Sequence, residues 1–527
     1  MRRFSSYDPI NTDLDYYAPR TELIDKGYTQ LIGRIPDENG NYFTVWAPRQ
    51  CGKTWLLQQI VEKIRQTEQY HVAILTLELA KEEKNEDSIV SILLEKLQTA
   101  YSLKFPAIKK ISEIPSLFTK TYFNKPVILV LDEFDALEEE WINRIVAVFR
   151  DMFTSRTNEP KKKSEDKPCL LHGLALIGVR SVLGIENEKG SPFNVQRSIH
   201  VPNLTLDEVK NMFQWYEKES NQSIKPEVID RLYYETNGQP GLTCWFGELI
   251  TETYNEQKNL PISMTNFNRA YSAATHILPN NNILNLISKV NKPPYNDIVM
   301  DFFKTGEKIE FKFTNKETNY LYMNGLITPE EAEDHLFYIK FSCPFVQKSI
   351  FDYFSSEIFG YLGQLIHPLD TMTDAINEEN LYIPAIINRY RDYLKKNRET
   401  FFKNVPRRKT DLKIYEAIFH FNLYRYLVNL LNSRGVMVIP QFPTGNGKID
   451  LILEYKDKKY ALELKSFKDM YLFEKGIEQA ADYGLKLGLS EIIYLVFIEL
   501  TQEEAGQLEK EIDKPGIRVK VLPVGIL

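Results

Sequence analysis

Tyr42-Phe-Thr-Val-Trp46, running straight into Ala47-Pro-Arg-Gln-Cys-Gly-Lys-Thr54, is the stretch whose reading decides the fold. An apolar strand feeds a tight loop ending Gly-Lys-Thr. Leu56, Leu57, Ile60, Val61 and Ile64 then mark one face of a helix. A strand, a glycine-bearing turn and a helix N-terminus aim successive backbone N–H groups at anionic oxygens. Pro48, Arg49, Gln50, Cys51 and Gly52 are expected to wrap phosphate. Lys53 would reach the β- and γ-phosphates and Thr54 would place its hydroxyl on Mg²⁺. Ala47 stands where the usual first glycine of this loop would be, so the motif is a variant.

The 527 residues suggest about three domains at roughly 150 residues each. Apolar content of 43% and charged content of 26% are those of a globular protein. With a net charge of -7, any attraction of nucleic acid must come from a local basic patch. Cys51, Cys169, Cys244 and Cys343 lie far apart without metal-ligand or disulfide spacing, which favours a reducing compartment. The N-terminus lacks an apolar signal core, and no apolar run reaches the ~18 residues of a membrane span. A cytoplasmic protein without a membrane partner is expected.

Apolar strands at His71 to Leu79, Val127 to Leu131 and Leu174 to Val179 alternate with helical stretches, one of them 82–123. That alternation predicts a parallel α/β sheet with its chemistry at the strand C-terminal ends. Asp132-Glu133 follows a buried strand directly, where a carboxylate is costly unless a cation or donors meet it. Asp132 is read as ordering Mg²⁺ and Glu133 as polarising the attacking water. The alternative is a solvated loop acid. Arg180 either senses the γ-phosphate or is a surface residue. Residues 157–168 read as a polar, mobile insertion.

The segments VWAPRQCGKTWLL, VILVLDEFDAL, GVRS, SPFNV and TNGQPGLT resemble the AAA-like ATPases of the STAND type found in prokaryotic proteins, over about residues 15–350. The resemblance implies ATP binding, slow hydrolysis used as a switch, and coupling to homo-oligomerisation. Within it, Gly238-Gln239-Pro240 matches a motif on the lid helices near the nucleotide, which makes Pro240 a binding residue. Lys316 to Met323, Gly325 and the strand from His335 to Phe341 resemble a winged helix. Its helix is not strongly basic, so interdomain packing is favoured over reading DNA.

Between residues 389 and 413, Arg389, Arg391, Lys395, Lys396, Arg398, Lys403, Arg407, Arg408, Lys409 and Lys413 face only Asp392, Glu399 and Asp411. Tyr390, Tyr393, Phe401 and Phe402 are interleaved. This is the clearest phosphate-attracting patch, set against the alternative of a solvated helix. A helix from Asp411 to Leu431 carries Glu416, and a strand from Val436 to Ile439 precedes a hairpin, Lys448 to Tyr455 and Lys459 to Lys465. A two-residue turn at Lys456-Asp457 would set Asp450 opposite Glu463, with Cβ atoms ~4.5–5.5 Å apart. Lys465 emerges on the same face, while Leu451, Leu453, Leu462 and Leu464 pack behind. A one-residue slip would spoil the arrangement. Two carboxylates and an amine suit metal-assisted phosphodiester hydrolysis, with Asp450 and Glu463 as hard oxygen ligands. Gln479 and Tyr483 share a face of the following helix.

KIDLIL, LELK and EQAADY together resemble the PD-(D/E)xK nuclease superfamily over about residues 410–527. The resemblance makes Glu416, Asp450, Glu463, Lys465 and Gln479 catalytic, with Ile449 departing from the motif's proline. The combined architecture resembles a family of bacterial proteins joining an AAA-like ATPase to such a nuclease, which would suit a defence role.

The fold expected is therefore α/β throughout. Residues 1–270 form a P-loop ATPase with a helical lid, 271–350 a winged helix, 351–410 a basic helical linker and 411–527 a nuclease-like domain. The expected function is an ATP-regulated nuclease using Mg²⁺ or Mn²⁺ on nucleic acid, DNA ahead of RNA. The alternative is an ATP-gated scaffold whose last domain holds nucleic acid without cutting it.

Overall fold

Five apolar segments of the first half become a parallel sheet. They are β1 (Tyr42–Trp46), β2 (His71–Thr76), β3 (Val127–Asp132), β4 (Leu171–Gly178) and β5 (Ile199–His200), in the order β2-β3-β4-β1-β5. Such a sheet is covered on both faces, which is why these strands read as continuous apolar runs rather than alternating ones. The computed structural model describes residues 1–6, 10–178, 198–304, 308–333, 335–366, 370–403, 405, 407, 414–441, 450–456 and 458–527.

Two compact units result, Met1–Asn282 with Lys312–Thr328, and Ile283–Phe311 with Pro329–Leu527. In the first, α1 (Thr21–Ile32) and α2 (Lys53–Arg65) cover one sheet face. The stripe Leu56, Leu57, Ile60, Val61 and Ile64 is buried there as its spacing predicts. The opposite face takes α3 (Glu86–Tyr101) and α4 (Glu139–Thr157). Four helices follow where the lid is expected: α5 (Leu206–Ser220), α6 (Pro226–Thr236), α7 (Pro240–Glu248) and α8 (Met264–His276).

Two expectations change here. The helical reading of 82–123 breaks after Tyr101, with Ser102 left-handed and only a short 3₁₀ turn at Ile111–Leu117 beyond it. Phe105 precedes Pro106, whose ring disfavours helix in the residue before it. The insertion at 157–168 is anchored rather than mobile. Lys167 is fully buried and donates to Asn39 Oδ1 at 2.8 Å and to the Arg156 carbonyl at 3.0 Å. Ser164 Oγ bridges Arg156 and His172, at 2.6 and 2.7 Å. The lysines 161–163 are solvated, as expected.

Helices α9 (Asn281–Val290) and α10 (Tyr295–Lys304) come next, then α11 (Lys316–Met323), β6 (Ile327–Glu331) and β7 (Phe337–Phe341). The helix–turn–strand succession thus stands at its expected positions, with α11 belonging to the first unit. Helices α12 (Pro344–Ile358), α13 (Ile383–Phe401) and α14 (Glu416–Leu431) lead into a second sheet. Its strands are β8 (Val436–Gln441), β9 (Asp450–Tyr455), β10 (Lys458–Ser466), β11 (Glu491–Ile498), β12 (Lys510–Lys514) and β13 (Ile517–Gly525). They lie in the order β12-β13-β11-β10-β9-β8, and β8-β9-β10 are antiparallel while β11 joins β10 in parallel. Helix α15 (Met470–Lys486) covers one face through Phe473, Ile477 and Ala480. The short α16 (Gln502–Ala505) lies between β11 and β12.

Two arginines of the basic segment are structural. Arg389 pairs with Asp370 and Asp374 at 2.9 and 2.6 Å, and Arg391 binds Glu509 at 2.9 Å and the Pro523 carbonyl. Tyr390, Tyr393 and Phe402 are buried core rather than stacking platforms. Lys395, Lys396 and Lys403 remain exposed. Arg408, Lys409, Asp411 and Lys413 lie outside the described residues. No helix among the described residues is long and apolar enough to cross a membrane.

Candidate functional sites

Strand order fixes the first site. Because β4 lies between β1 and β3, the loop after β1 and the acids after β3 meet at one sheet edge. Gly52 takes φ +79°, a left-handed conformation that a side chain would strain, and caps α2. Thr54 Oγ1 donates to Asp132 Oδ2 at 2.9 Å, and Asp132 Oδ1 accepts the Glu133 N–H at 2.9 Å. Asp132 is only 6% exposed, so a half-buried residue's hydroxyl and a buried carboxylate stand together at the strand end. These are hard oxygen donors, and they fit a Mg²⁺ that accompanies phosphate.

Lys53 Nζ donates to the Ala47 and Pro48 carbonyls at 2.9 and 2.8 Å, which holds its ammonium over the loop. Glu133 is half-buried. Desolvation first, then Asp135 and Asp132, pushes its carboxyl above the usual range against the opposing pull of Lys53 and Arg49. A raised carboxyl suits a group that must take a proton from water. Burial likewise pushes the Cys51 thiol up, so it behaves as a small apolar residue under the loop. Arg180 lies outside the described residues.

The lid contact is made beside the residue the motif suggested. Pro240 opens α7 at its first turn, where its missing N–H is not needed. Gln239 makes the polar contacts, donating from Nε2 to the Arg49 and Gln50 carbonyls at 3.1 and 3.3 Å. Its Oε1 caps α7 by accepting the Leu242 N–H. The Gly241 N–H adds a bond to the Gln50 carbonyl at 3.0 Å. A Cβ on Gly241 would stand 2.6 Å from Gln50 Cβ, so this close approach needs glycine. Gly241→Val is expected to push α7 off the loop and weaken ATP binding several-fold with the unit still folded. Titration of a fluorescent ATP analogue checks this, and unchanged affinity would refute it.

Two further neighbours of the loop were not singled out in the sequence. Tyr322 at the end of α11 packs edge-on against Trp46 at 5.5 Å, and Pro48 fills the space beside Gly325. Arg20 is the left-handed residue before α1, and its guanidinium reaches the Pro202 carbonyl at 2.7 Å and Glu208 at 3.7 Å. A charged residue just before an amphipathic helix was the available signal.

The second site lies on the second sheet. Tyr455 pairs with Lys458 and Leu451 with Leu462, so the register is the expected one and Asp450 falls opposite Glu463. Leu451, Leu453, Leu462 and Leu464 are fully buried on the other face. Asp457 of the turn lies outside the described residues, as do Lys448 and Ile449.

Lys465 Nζ is 3.1 Å from Glu463 Oε1. Asp450 and Glu463 are 1% and 5% exposed, and neither Asp450 oxygen meets a hydrogen-bond partner. The Glu463 carboxyl and the Leu464 N–H influence Asp450 without reaching hydrogen-bond geometry. Desolvation first and the Glu463 charge second push the Asp450 carboxyl well up, with Lys465 opposing. Burial works against the Lys465 charge, but Glu463, Glu416 and Asp450 together raise it. Glu416 opens α14, and its Oε2 accepts the Ser466 N–H at 3.0 Å. Burial pushes its carboxyl up, with Lys465, Ser466 and Lys468 opposing and Glu463 adding.

Gln479 is half-buried on α15, and no hydrogen bond of its side chain reaches the cluster. An orphaned buried carboxylate beside a second one fits a hard divalent cation. No group of three or more His, Cys, Asp and Glu among the described residues is arranged to hold a metal, so Asp450 and Glu463 stand as a two-carboxylate set.

Residues 8–267, a little under half of the chain, match the family described as the AAA-like domain. No curated protein matches the chain. Among solved structures, the Walker-type ATPase of Pyrococcus abyssi is similar at 12% identity and TM-score 0.45, over 66% of this chain and 99% of that one. Cdc6p from Pyrobaculum aerophilum follows at 12% identity and TM-score 0.39, over 67% and 97%. RuvB of Thermotoga maritima follows at 10% identity and TM-score 0.32, over 60% and 90%. Likenesses this distant carry no further argument. With its phosphate loop, paired strand-end acids and parallel sheet, the segment 8–267 is an AAA-like P-loop ATPase domain.

Proposed function

We propose that the AAA-like domain is an ATP-dependent switch of the STAND type controlling a metal-dependent nuclease of the PD-(D/E)xK kind at the C-terminus. The observation that carries the reading is Asp450, buried with both oxygens unsatisfied, opposite Glu463 and beside Lys465. A protein that needed only a packed sheet would bury an apolar residue there, because an unpaired carboxylate in the interior is costly.

Asp450 and Glu463 would hold Mg²⁺ or Mn²⁺. When bound, the ion supplies charge stabilisation at the phosphate and acidifies a bound water. Lys465, fixed by Glu463, presents its ammonium where negative charge grows on the phosphate. Glu416, tethered by the Ser466 N–H, adds a carboxylate at the rim, and Gln479 would orient substrate from α15. In the ATPase site, Thr54 and Asp132 would order Mg²⁺, Lys53 would hold phosphate, and Glu133 would position water. The substrate is nucleic acid, with DNA ahead of RNA, and the setting is cytoplasmic. Nucleotide-dependent homo-oligomerisation and a role in bacterial defence belong to the same reading.

One observation favours a second reading, an ATP-gated scaffold that holds nucleic acid without cutting it. The site offers two carboxylates rather than a set of three or more. Mn²⁺ affinity that disappears in an Asp450 variant supports the nuclease, whereas no such affinity supports the scaffold. Lys53→Ala tests the coupling. It should lower ATP affinity about 10–100-fold by removing charge-assisted bonds to phosphate. It should also remove any effect of ATP on cleavage. If the variant cuts with the same ATP response as wild type, the two sites work separately.

A further inference from the structure

Helix α14 is apolar around nearly its whole circumference, with Ala417, Ile418, Phe419, Phe421, Leu423 and Leu427 buried. His420 interrupts it. The imidazole is fully buried, and neither ring nitrogen has a hydrogen-bond partner. Leaving buried polar nitrogens unsatisfied is costly, and an aromatic or aliphatic residue would fill the same volume without that cost. An imidazole in such a place calls for a partner.

The acceptor in reach is Glu416, one helical turn before it. His420 Nε2 lies 3.9 Å from Glu416 Oε1, while Glu416 Oε2 is already held by the Ser466 N–H at 3.0 Å. The gap is longer than a hydrogen bond and closes with a small ring tilt or one bridging water, as in sites that tighten on loading. The charged groups around Glu416 are Lys465 and Glu463 on β10 and Lys468 in the segment after it. Burial and the nearby Lys465 charge push His420 down to about 3, so it is a neutral donor at working pH.

We propose that His420 is a positioning residue of the C-terminal site, donating its Nε2–H to Glu416 Oε1 so that the carboxylate faces the Lys465–Glu463 pair in a fixed orientation. This rests on the nuclease reading above. The Ser466 N–H and His420 then hold one oxygen each of Glu416.

The test compares wild type, His420→Leu and His420→Gln as full-length proteins, with Mn²⁺ and a mixed set of single- and double-stranded DNA. Glutamine keeps an N–H donor near the Nε2 position, and leucine keeps only volume. The leucine variant is expected to lose about 10–100-fold in cleavage at saturating metal, the usual effect of losing such a supporting bond. Its acid limb should move to higher pH, because Glu416 loses a donor to its charged form. The glutamine variant should stay within several-fold of wild type and keep the wild-type pH profile. A leucine variant that cuts like wild type, or a glutamine variant that falls as far as leucine, overturns the assignment.

If wild type cuts no substrate, the nuclease reading itself fails. The pair is then judged by melting temperatures of His420→Leu, Glu416→Gln and the double variant. Coupled changes sustain the bond and additive ones overturn it.

Discussion

Glu463→Ala should abolish metal-dependent strand cleavage while leaving ATP binding unchanged. Glu463 is one of the two carboxylates facing each other across β9 and β10, and the group that fixes Lys465 at 3.1 Å. Its loss removes a hard oxygen ligand and frees the ammonium that meets phosphate, so a fall of at least ~10²–10³-fold is expected. Folding should survive, since Lys465 keeps the attraction of Glu416 and Asp450, and Asp450 is relieved of a repelling neighbour. On the proposed reading ATP is held by Lys53, Thr54 and Asp132, which belong to the other unit. Cleavage of end-labelled DNA with Mn²⁺, beside ATP titration of the same preparation, checks both halves. Cutting at the wild-type rate would remove the site from β9 and β10.

Asp450→Asn should make the metal-free protein more stable at neutral pH although it destroys the proposed metal site. The Asp450 carboxyl lies well above its ordinary value, chiefly through desolvation and then through Glu463. A group whose folded value is raised contributes stability that is fully present below the unfolded value, ~3.9 for aspartate, and lost as pH rises through the folded one. The penalty on the wild type therefore grows from mildly acidic pH towards neutrality. Asparagine matches the shape without the charge. Its melting temperature in EDTA should exceed that of wild type at neutral pH by several degrees, about 2–4 °C per kcal/mol for a unit this size. The difference should close as the pH falls below ~3.9, where wild-type Asp450 becomes protonated in the unfolded state as well as the folded one. Mn²⁺ should raise the wild type and not the variant, because an ion binding only the folded state stabilises by mass action. A variant less stable than wild type at neutral pH would mean that Asp450 is paired in solution.

Short-range features of both sites were legible in the residues. A strand, a glycine turn and an amphipathic helix are local, so Tyr42–Ile64 needed only periodicity to read. The hairpin was equally local. A two-residue turn sets the register, and from it follow Asp450 opposite Glu463 and Lys465 on their face. In the basic segment charge composition overcounted the free cations, because sequence records charge but not partners. Arg389 is bound by aspartates 15 and 19 residues away, and Arg391 by a glutamate 118 residues away. The mobile reading of 157–168 failed for a similar reason, since buried Lys167 is satisfied by Asn39 from a distant turn.

What the sequence determined alone was therefore the class of each half: a phosphate loop with acids on a parallel sheet, and a charged hairpin with a fixed register. Those follow from backbone periodicity and steric rules acting over a few residues. Only the tertiary structure decided which side chains complete the sites. Gln239 and Gly241, on either side of Pro240, hold the loop, because helix packing sets which atoms of a short motif come within 3.3 Å. His420 stands beside Glu416 without a partner, which becomes visible only once α14 is buried and every neighbour is placed. Desolvation is the common reason. It turns a modest charge or imidazole into a costly one, and it depends on everything packed around the residue rather than on the residues next to it in the chain.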